Sequence, residues 1–316
     1  NGKPVRAKNS EKIKEAIEVL NYKTNSFGKF LRTRETKTIG VITFNIATSF
    51  VSEVFTIFER QLYEKGYDVY FCNSHGDVET EKQKIDFMIS RGIDALVIFP
   101  CSNTLSDPSS ATELNLPVLT IDNTIKGNSC SAITFDDTAA AYNATKHMIV
   151  NGHKKIACLA GPNDYHTTIK RIEGYQKALQ DYSINDFHII KDINSPEQCK
   201  LNCIDYMCHH PDISAFLVTS SSILISFLDA MQSLSIKVPD DISYITFDDK
   251  DYFNLLATKP TYVYQDKRLL AHQISEVISA LLANPQQCIR KEIKTHLILG
   301  DSVKNRSQNN YHLSKM

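Results

Sequence analysis

Six residue pairs with the potential to touch a ligand recur along this chain: Phe44-Asn45, Pro100-Cys101, Asp122-Asn123, Gly161-Pro162, Ser220-Ser221 and Asp248-Asp249. Each ends or follows an apolar run of strand length. Apart from the aspartates these side chains are uncharged, which suits hydrogen bonding to hydroxyl or amide groups. Arg171 stands apart. It falls in the first turns of a helical stretch, where a cation opposes the helix dipole. Two readings are open for it: a solvated cation on a surface helix, or a cation drawn to a partner, either a pocket aspartate or a ligand. Asp248-Asp249 likewise reads as a ligand contact or as a plain turn or helix cap.

Other chemistries find little support. The chain has 11 glycines, with neither GxGxxG nor GxxxxGK[ST] among them, so a dinucleotide or P-loop site is not expected. Ser220-Ser221-Ser222 lacks the GxSxG elbow of the hydrolases. Cys199, Cys203, Cys208, His209 and His210 form the one metal-like cluster, but C-x3-C-x4-C-H-H matches no common zinc spacing. Thiols on the core and surface faces of one helix are the plainer account. Neither a metal nor any other cofactor is expected, and no acid/base pair stands out as catalytic.

These residues need a scaffold that gathers them. Apolar runs at 38–44, 68–72, 94–99, 117–122, 155–161, 187–190, 215–220 and 242–247 alternate with helical stretches such as 52–65, 79–91, 138–151, 167–180 and 222–234. Such alternation builds parallel sheets covered by helices on both faces. In open parallel sheets a ligand sits beyond the carboxyl ends of the strands, where the six pairs fall. The length of 316 residues favours two sheets over one. Crossings between them are expected in the strand-poor stretch 125–151, at YVYQD (262–266) and at HLILGD (296–301).

Charge is unevenly spread. Residues 1–37 hold ten Lys and Arg against four Glu, a net of +6 in a chain whose total is −1, leaving −7 for the rest. A basic arm on an acidic body is the asymmetry expected where one end meets phosphate, although a solvated tail gives the same count. Within the arm, Ser10-Glu11 followed by Ile13, Ala16, Ile17 and Leu20 reads as a capped amphipathic helix. The segment 25–31 is too short to hold a helix alone. With no long apolar run and no apolar leader, neither a membrane span nor secretion is expected. Eight cysteines scattered through strand-like runs suggest reduced thiols and a cytoplasmic location.

Several stretches are specific enough to name a family. Residues 10–25 (SEKIKEAIEVLNYKTN), 135–162 (FDDTAAAYNATKHMIVNGHKKIACLAGP), the pattern TxxxRxxGYxxAL over 167–179 and VPDDISYITFDD over 238–249 together resemble the lactose/galactose-repressor (LacI/GalR) family of transcription regulators. The resemblance spans 1–303. It implies an α/β core like that of periplasmic sugar-binding proteins, with two lobes and three crossovers. Its expected parts are a headpiece end and hinge helix at 1–37, one lobe from 38–135 and 266–296, a second from 136–265 and 297–303, and a loose tail at 304–316. It further implies a side-by-side homodimer, with helices 52–65, 79–91 and 266–283 near the two-fold axis. A small, sugar-like effector in the cleft would alter affinity for operator DNA. Carried over by motif, Arg171 and Asp248 are effector contacts, with Asp122, Phe44 and Asn45 beside them and Ser220-Ser221 at another strand end. Leu31 becomes the wedge into the minor groove, flanked by the phosphate contacts Lys29 and Arg32.

The chain also departs from the family pattern. The first two headpiece helices are absent, so operator binding is expected only of a full-length protein. Ser220-Ser221 stands where many sugar-responsive members have Asn-Asp, and Gly28 weakens the hinge by roughly 1 kcal/mol. A transporter's solute-binding protein would share the cleft but needs a signal peptide and has no use for the hinge. An α/β hydrolase would need a catalytic constellation that the sequence does not display.

Overall fold

The structure is a computed structural model. It describes residues 35–307 apart from 128, 129, 192, 194, 249 and 250, together with positions 9, 11, 15, 16 and 19, which are helical. Positions 11, 15, 16 and 19 lie in the stretch read as a capped helix, and position 9 just before it. The hinge segment, with Lys29, Leu31 and Arg32, lies outside the described residues.

The first sheet holds β1 (Thr38–Thr43), β2 (Asp68–Asn73), β3 (Ala95–Ile98), β4 (Val118–Ile121), β5 (Ser131–Phe135) and β11 (Arg290–Ile293). Their order is β11-β5-β4-β3-β1-β2, and every pair is parallel. The second sheet holds β6 (Ile156–Leu159), β7 (His188–Ile190), β8 (Ala215–Val218), β9 (Ser243–Phe247), β10 (Thr261–Tyr264) and β12 (His296–Ile298). It is ordered β12-β10-β9-β8-β6-β7, and only β12 runs antiparallel. The two sheets thus repeat one strand order, and the expected α/β architecture is observed.

Strand alternation explains the double coating. In β1, Ile39 and Val41 face α1 (Ser49–Glu64) and α8 (Lys267–Ala283), whose Val54, Phe58, Leu62, Leu270 and Ile274 complete one buried cluster. Ile42 faces the other side, against Ile85 and Met88 of α2 (Val78–Ser90). Gly40 shares that face because a Cβ there would lie 2.7 Å from Ile93 Cδ1. The short α3 (Ser109–Glu113) closes this layer. In the second sheet, Ala157, Leu159, Phe216 and Val218 pack on α6 (Pro196–His209) and α7 (Ser221–Ser233). Ile156, Cys158, Leu217 and Ile245 pack instead on α4 (Asp137–Val150) and α5 (His166–Asp181). Burying one such large side chain contributes roughly 1.5–3 kcal/mol, so these four layers dominate stability.

The structure corrects the reading of the first sheet. The stretch 125–151 is not strand-poor: β5 lies within it, buried as the fifth strand of the first sheet, and the chain leaves that sheet at Asp136. β11, RKEI in sequence, escapes a hydrophobic reading because it is an edge strand with mostly exposed or half-exposed positions. α1, one of the helices expected near the two-fold axis, keeps most of its apolar side chains inside the chain. Val54, Phe58 and Leu62 are buried in the chain's own core, and Phe55 packs edge-on against Phe58 and Phe71.

Residues 304–307 are not a loose tail. Lys304 N donates to Ser243 Oγ (3.0 Å), Arg306 N to Asn151 O (2.7 Å) and Ser307 Oγ to Val150 O (3.1 Å). Buried His153 secures this segment, with Nε2 donating to Lys304 O (3.0 Å) and Nδ1 2.9 Å from Ser214 Oγ. Burial, helped by nearby Arg306, pushes the His153 imidazole down to about 4. The folded protein therefore holds this ring neutral where the unfolded chain protonates it near 6.5. Its contribution is fully present above pH 6.5 and is lost as pH falls toward 4, by on the order of 3 kcal/mol. Urea melts of parent and His153→Gln between pH 7 and 4.5 should show a steeper acid loss in the parent. Parallel profiles would exclude His153 as the source.

Candidate functional site

The carboxyl ends of the parallel strands converge from both sheets. From the first come Phe44 and Asn45 after β1, and Asp122 and Asn123 after β4; from the second come Gly161 and Pro162 after β6, Ser220 and Ser221 after β8, and Asp248 after β9. These, with Arg171 of α5, line one cleft of about 430 Å³, a volume suited to a small metabolite. All seven residues expected at an effector site are therefore in one place. Pro100 and Cys101 are not among the lining residues. Pro100 O accepts from Asn123 Nδ2 (3.1 Å), and Cys101 N donates to Glu81 Oε2 (2.9 Å).

The two sheets present their aspartates in the same way. Asp122 has φ +64 and Asp248 φ +66, left-handed conformations that Asp tolerates better than most residues. Asp122 N donates to Ile133 O (2.9 Å) in β5, and Asp248 N to Val263 O (3.0 Å) in β10. Each turn ends its strand and swings a carboxylate into the cleft. Asp248 accepts from Ser221 Oγ (2.9 Å). Ser220 is occupied as the cap of α7, accepting from Ile223 N (3.4 Å), with Ser222 Oγ 2.9 Å away.

Arg171 has found its partner. Buried at 6% exposure, it donates from Nε to Asp137 Oδ1 (2.6 Å), from one terminal nitrogen to Thr219 O, and from the other to Gln265 Oε1 (3.4 Å). The guanidinium also lies 4.0 Å from the Phe247 ring centroid. Three carboxylates surround this one guanidinium. Burial, then Asp137 and Asp248, push Asp122 up to about 7 against the pull of Arg171. Burial also raises the Asp137 carboxyl, despite the Arg171 pair. The pocket is thus short of positive charge.

Three lining side chains keep a buried polar atom with no partner among the described residues: Asp122 Oδ1, Gln265 Nε2 and the Tyr252 hydroxyl. An acceptor, a donor and a group able to do both are left to serve a ligand. Apolar walls complete the cleft. Phe44 meets Tyr165 across it, ring centroids 5.5 Å apart and tilted by 58°. Just beyond, the segment before α5 and the first turn of α5 bridge the sheets. Asn103 N donates to Asp164 O (2.7 Å), Thr104 Oγ1 to Asp164 Oδ1 (2.9 Å) and Thr167 N to Asn123 Oδ1 (3.2 Å).

Sequence reasoning missed Asp137, Tyr165, Tyr252 and Gln265. Gln265 was within reach, because it follows β10 at a carboxyl end, but 262–266 reads as a crossing when β10 is not recognised as a strand. Cys199 and Cys203 are core thiols of α6. No group of three or more His, Cys, Asp or Glu among the described residues is placed to hold a metal.

A family model described as "Periplasmic binding proteins and sugar binding domain of LacI family" matches residues 36–278. The chain belongs to the LacI/GalR family. A curated relative of this LacI/GalR chain is the HTH-type transcriptional repressor PurR of Haemophilus influenzae (strain PittEE), 26% identical over 305 residues, which cover 93% of this chain and 89% of that protein. Among solved structures, the lac repressor dimer bound to operator and the anti-inducer ONPF superposes with a TM-score of 0.83 at 21% identity, covering 96% of this chain and 92% of that one. A LacI family transcriptional regulator from Enterococcus faecium with bound ribose gives 0.76 at 20% identity, covering 85% and 99%. The two-lobed fold inferred from strand–helix alternation is therefore the fold of this family.

Proposed function

We propose that the chain is a ligand-responsive, DNA-binding transcriptional repressor whose cleft binds a small, neutral, polyhydroxylated effector. The observation that carries this reading is the cleft itself: unpartnered Asp122 Oδ1, Gln265 Nε2 and Tyr252 hydroxyl around a carboxylate-rich pocket in a LacI-family core. Hydroxyl groups both donate and accept, so one sugar-like molecule serves all three, whereas an anion meets three carboxylates and one guanidinium. Phe44, Asn45, Arg171, Ser221 and Asp248 are its further contacts. The PurR repressor relative and the ribose-bound neighbour point the same way. The function is non-enzymatic.

The lobes divide as 38–135 with 266–295 and 136–265 with 296–307. Two chains pair as a homodimer, as the lac repressor does in its operator complex. Operator contact belongs to the hinge residues Lys29, Leu31 and Arg32 in a protein carrying the complete headpiece, and acting on DNA places the protein in the cytoplasm. Among the described residues no helix is long and apolar enough to cross a membrane.

A thermal-shift screen of neutral sugars, nucleobases and phosphorylated metabolites tests the ligand class, because binding to the folded state raises the melting temperature. Neutral sugars should give the hits. Asp248→Asn should then weaken the best hit by about 1–2 kcal/mol, roughly tenfold in Kd, because an amide oxygen replaces a charged acceptor. Stabilisation by phosphorylated compounds alone, or unchanged calorimetric affinity in Asp248→Asn, would overturn the assignment.

A further inference from the structure

Two cysteines far apart in sequence lead into paired strands of the first sheet, Cys130 one residue before β5 and Cys288 two residues before β11. β5 and β11 pair in parallel with Ala132 facing Arg290 and Phe135 facing Ile293. Two residues back along both strands, the same register sets Cys130 against Cys288. The residues next to them are tied together: Ala132 N donates to Ile289 O (2.9 Å), and Ile289 N to Ser131 Oγ (2.8 Å). Cys288 Sγ donates to Cys130 O at 3.8 Å. Neighbouring strands lie about 4.7–4.9 Å apart, inside the roughly 4.4–6.8 Å window between the Cα atoms of a disulfide. Side-chain alternation sends both thiols to the same face.

The two thiols differ in access. Cys288 is exposed and Cys130 half-buried. Burial and the neighbouring Cys288 push the Cys130 thiol up to about 11, with Arg290 opposing that rise. Cys288 is therefore the group that meets an oxidant first, and Cys130 the one that resolves it. Of the other six cysteines, Cys101, Cys158, Cys199 and Cys203 are buried, Cys72 is half-buried on β2, and exposed Cys208 lies on α6, which packs on the second sheet.

We propose that Cys130 and Cys288 are a peroxide-modified pair that forms a reversible disulfide joining β5 to β11. The Cys288 thiolate attacks one oxygen of hydrogen peroxide, the O–O bond breaks, and a sulfenic acid and water result. The Cys130 thiolate then attacks that sulfur, the S–O bond breaks, and a second water leaves. In sum, two thiols and one peroxide give one disulfide and two waters. The new bond closes a loop holding β5 through β10, so the oxidised protein should resist unfolding.

The test treats the reduced full chain with a small excess of hydrogen peroxide, then maps its peptides without reductant. The expected product is a Cys130–Cys288 crosslink with the loss of two hydrogens. Dithiothreitol should undo it, and the melting temperature of the oxidised form should be higher by several degrees. Cys130→Ser and Cys288→Ser should each keep the melting temperature of the reduced parent and lose the oxidative rise. The proposal is overturned if parent Cys288 proceeds to sulfinic acid with Cys130 unmodified, if either cysteine links elsewhere, or if the single variants show the same rise.

Discussion

Arg171→Ala is expected to destabilise the protein by about 3–5 kcal/mol and to remove measurable effector binding. The side chain joins α5, the β8 end through Thr219 O, and Gln265 after β10, and it neutralises Asp137 at 2.6 Å. Removing a guanidinium buried at this depth leaves Asp137, Asp122 and Asp248 facing one another without a cation. A carboxylate stranded in this way costs more than the lost hydrogen bonds, because desolvation is no longer offset. The pH response gives the cause away. Without Arg171, Asp122 and Asp137, already raised by burial, take up protons in the folded state more readily than in the unfolded chain. Folding then binds protons, so the variant should regain stability as pH falls from 8 toward 5. Urea melts across that range measure this. A variant within 1 kcal/mol of the parent at pH 8, or one that only loses stability on acidification, would show that the ion pair is not structural.

Gly174→Ala should cost at least about 2 kcal/mol, although alanine favours a helix by roughly 1 kcal/mol over glycine. α4 and α5 cross so closely that a Cβ on Gly174 would lie 2.2 Å from Thr138 O and 2.9 Å from Tyr142 N. Those are backbone atoms, so a helix must move. The helix that moves carries Arg171 one turn earlier, and the helix it presses carries Asp137. The substitution should therefore weaken effector binding as well as stability. Gly127→Ala is the control: it sits at φ +78 with nothing within 4 Å, so only the left-handed penalty of about 1–2 kcal/mol applies and binding is spared. Denaturant midpoints and calorimetry on both variants separate the two effects. Equal binding in Gly174→Ala and the parent would show that the pocket does not depend on this crossing.

The buried centre of each sheet was legible because its strands are continuous apolar runs, as in IACL of β6 and AFLV of β8. The margins were not. β11 reads as charged because one of its edges meets water, and β5 hides behind a buried Ser131 and a half-buried Thr134. The pocket followed the same division. Residues at recognised strand ends were found, while Tyr165 and Tyr252 lie on connecting segments that no periodicity marks. Asp137 was the hardest to find. It opens a helix, where an acidic residue is ordinary, and only the fold brings it to Arg171, 34 positions later.

Reciprocal coupling between cleft and operator tests the central claim most directly. With the effector identified by the thermal screen and a protein carrying its complete headpiece, operator affinity is measured with and without saturating effector at fixed salt, and effector affinity with and without operator. Linkage requires the two ratios to be equal, and the account predicts a common factor of roughly 5–150 in whichever direction the effector acts. An effector that binds the cleft yet leaves operator affinity unchanged would contradict the account.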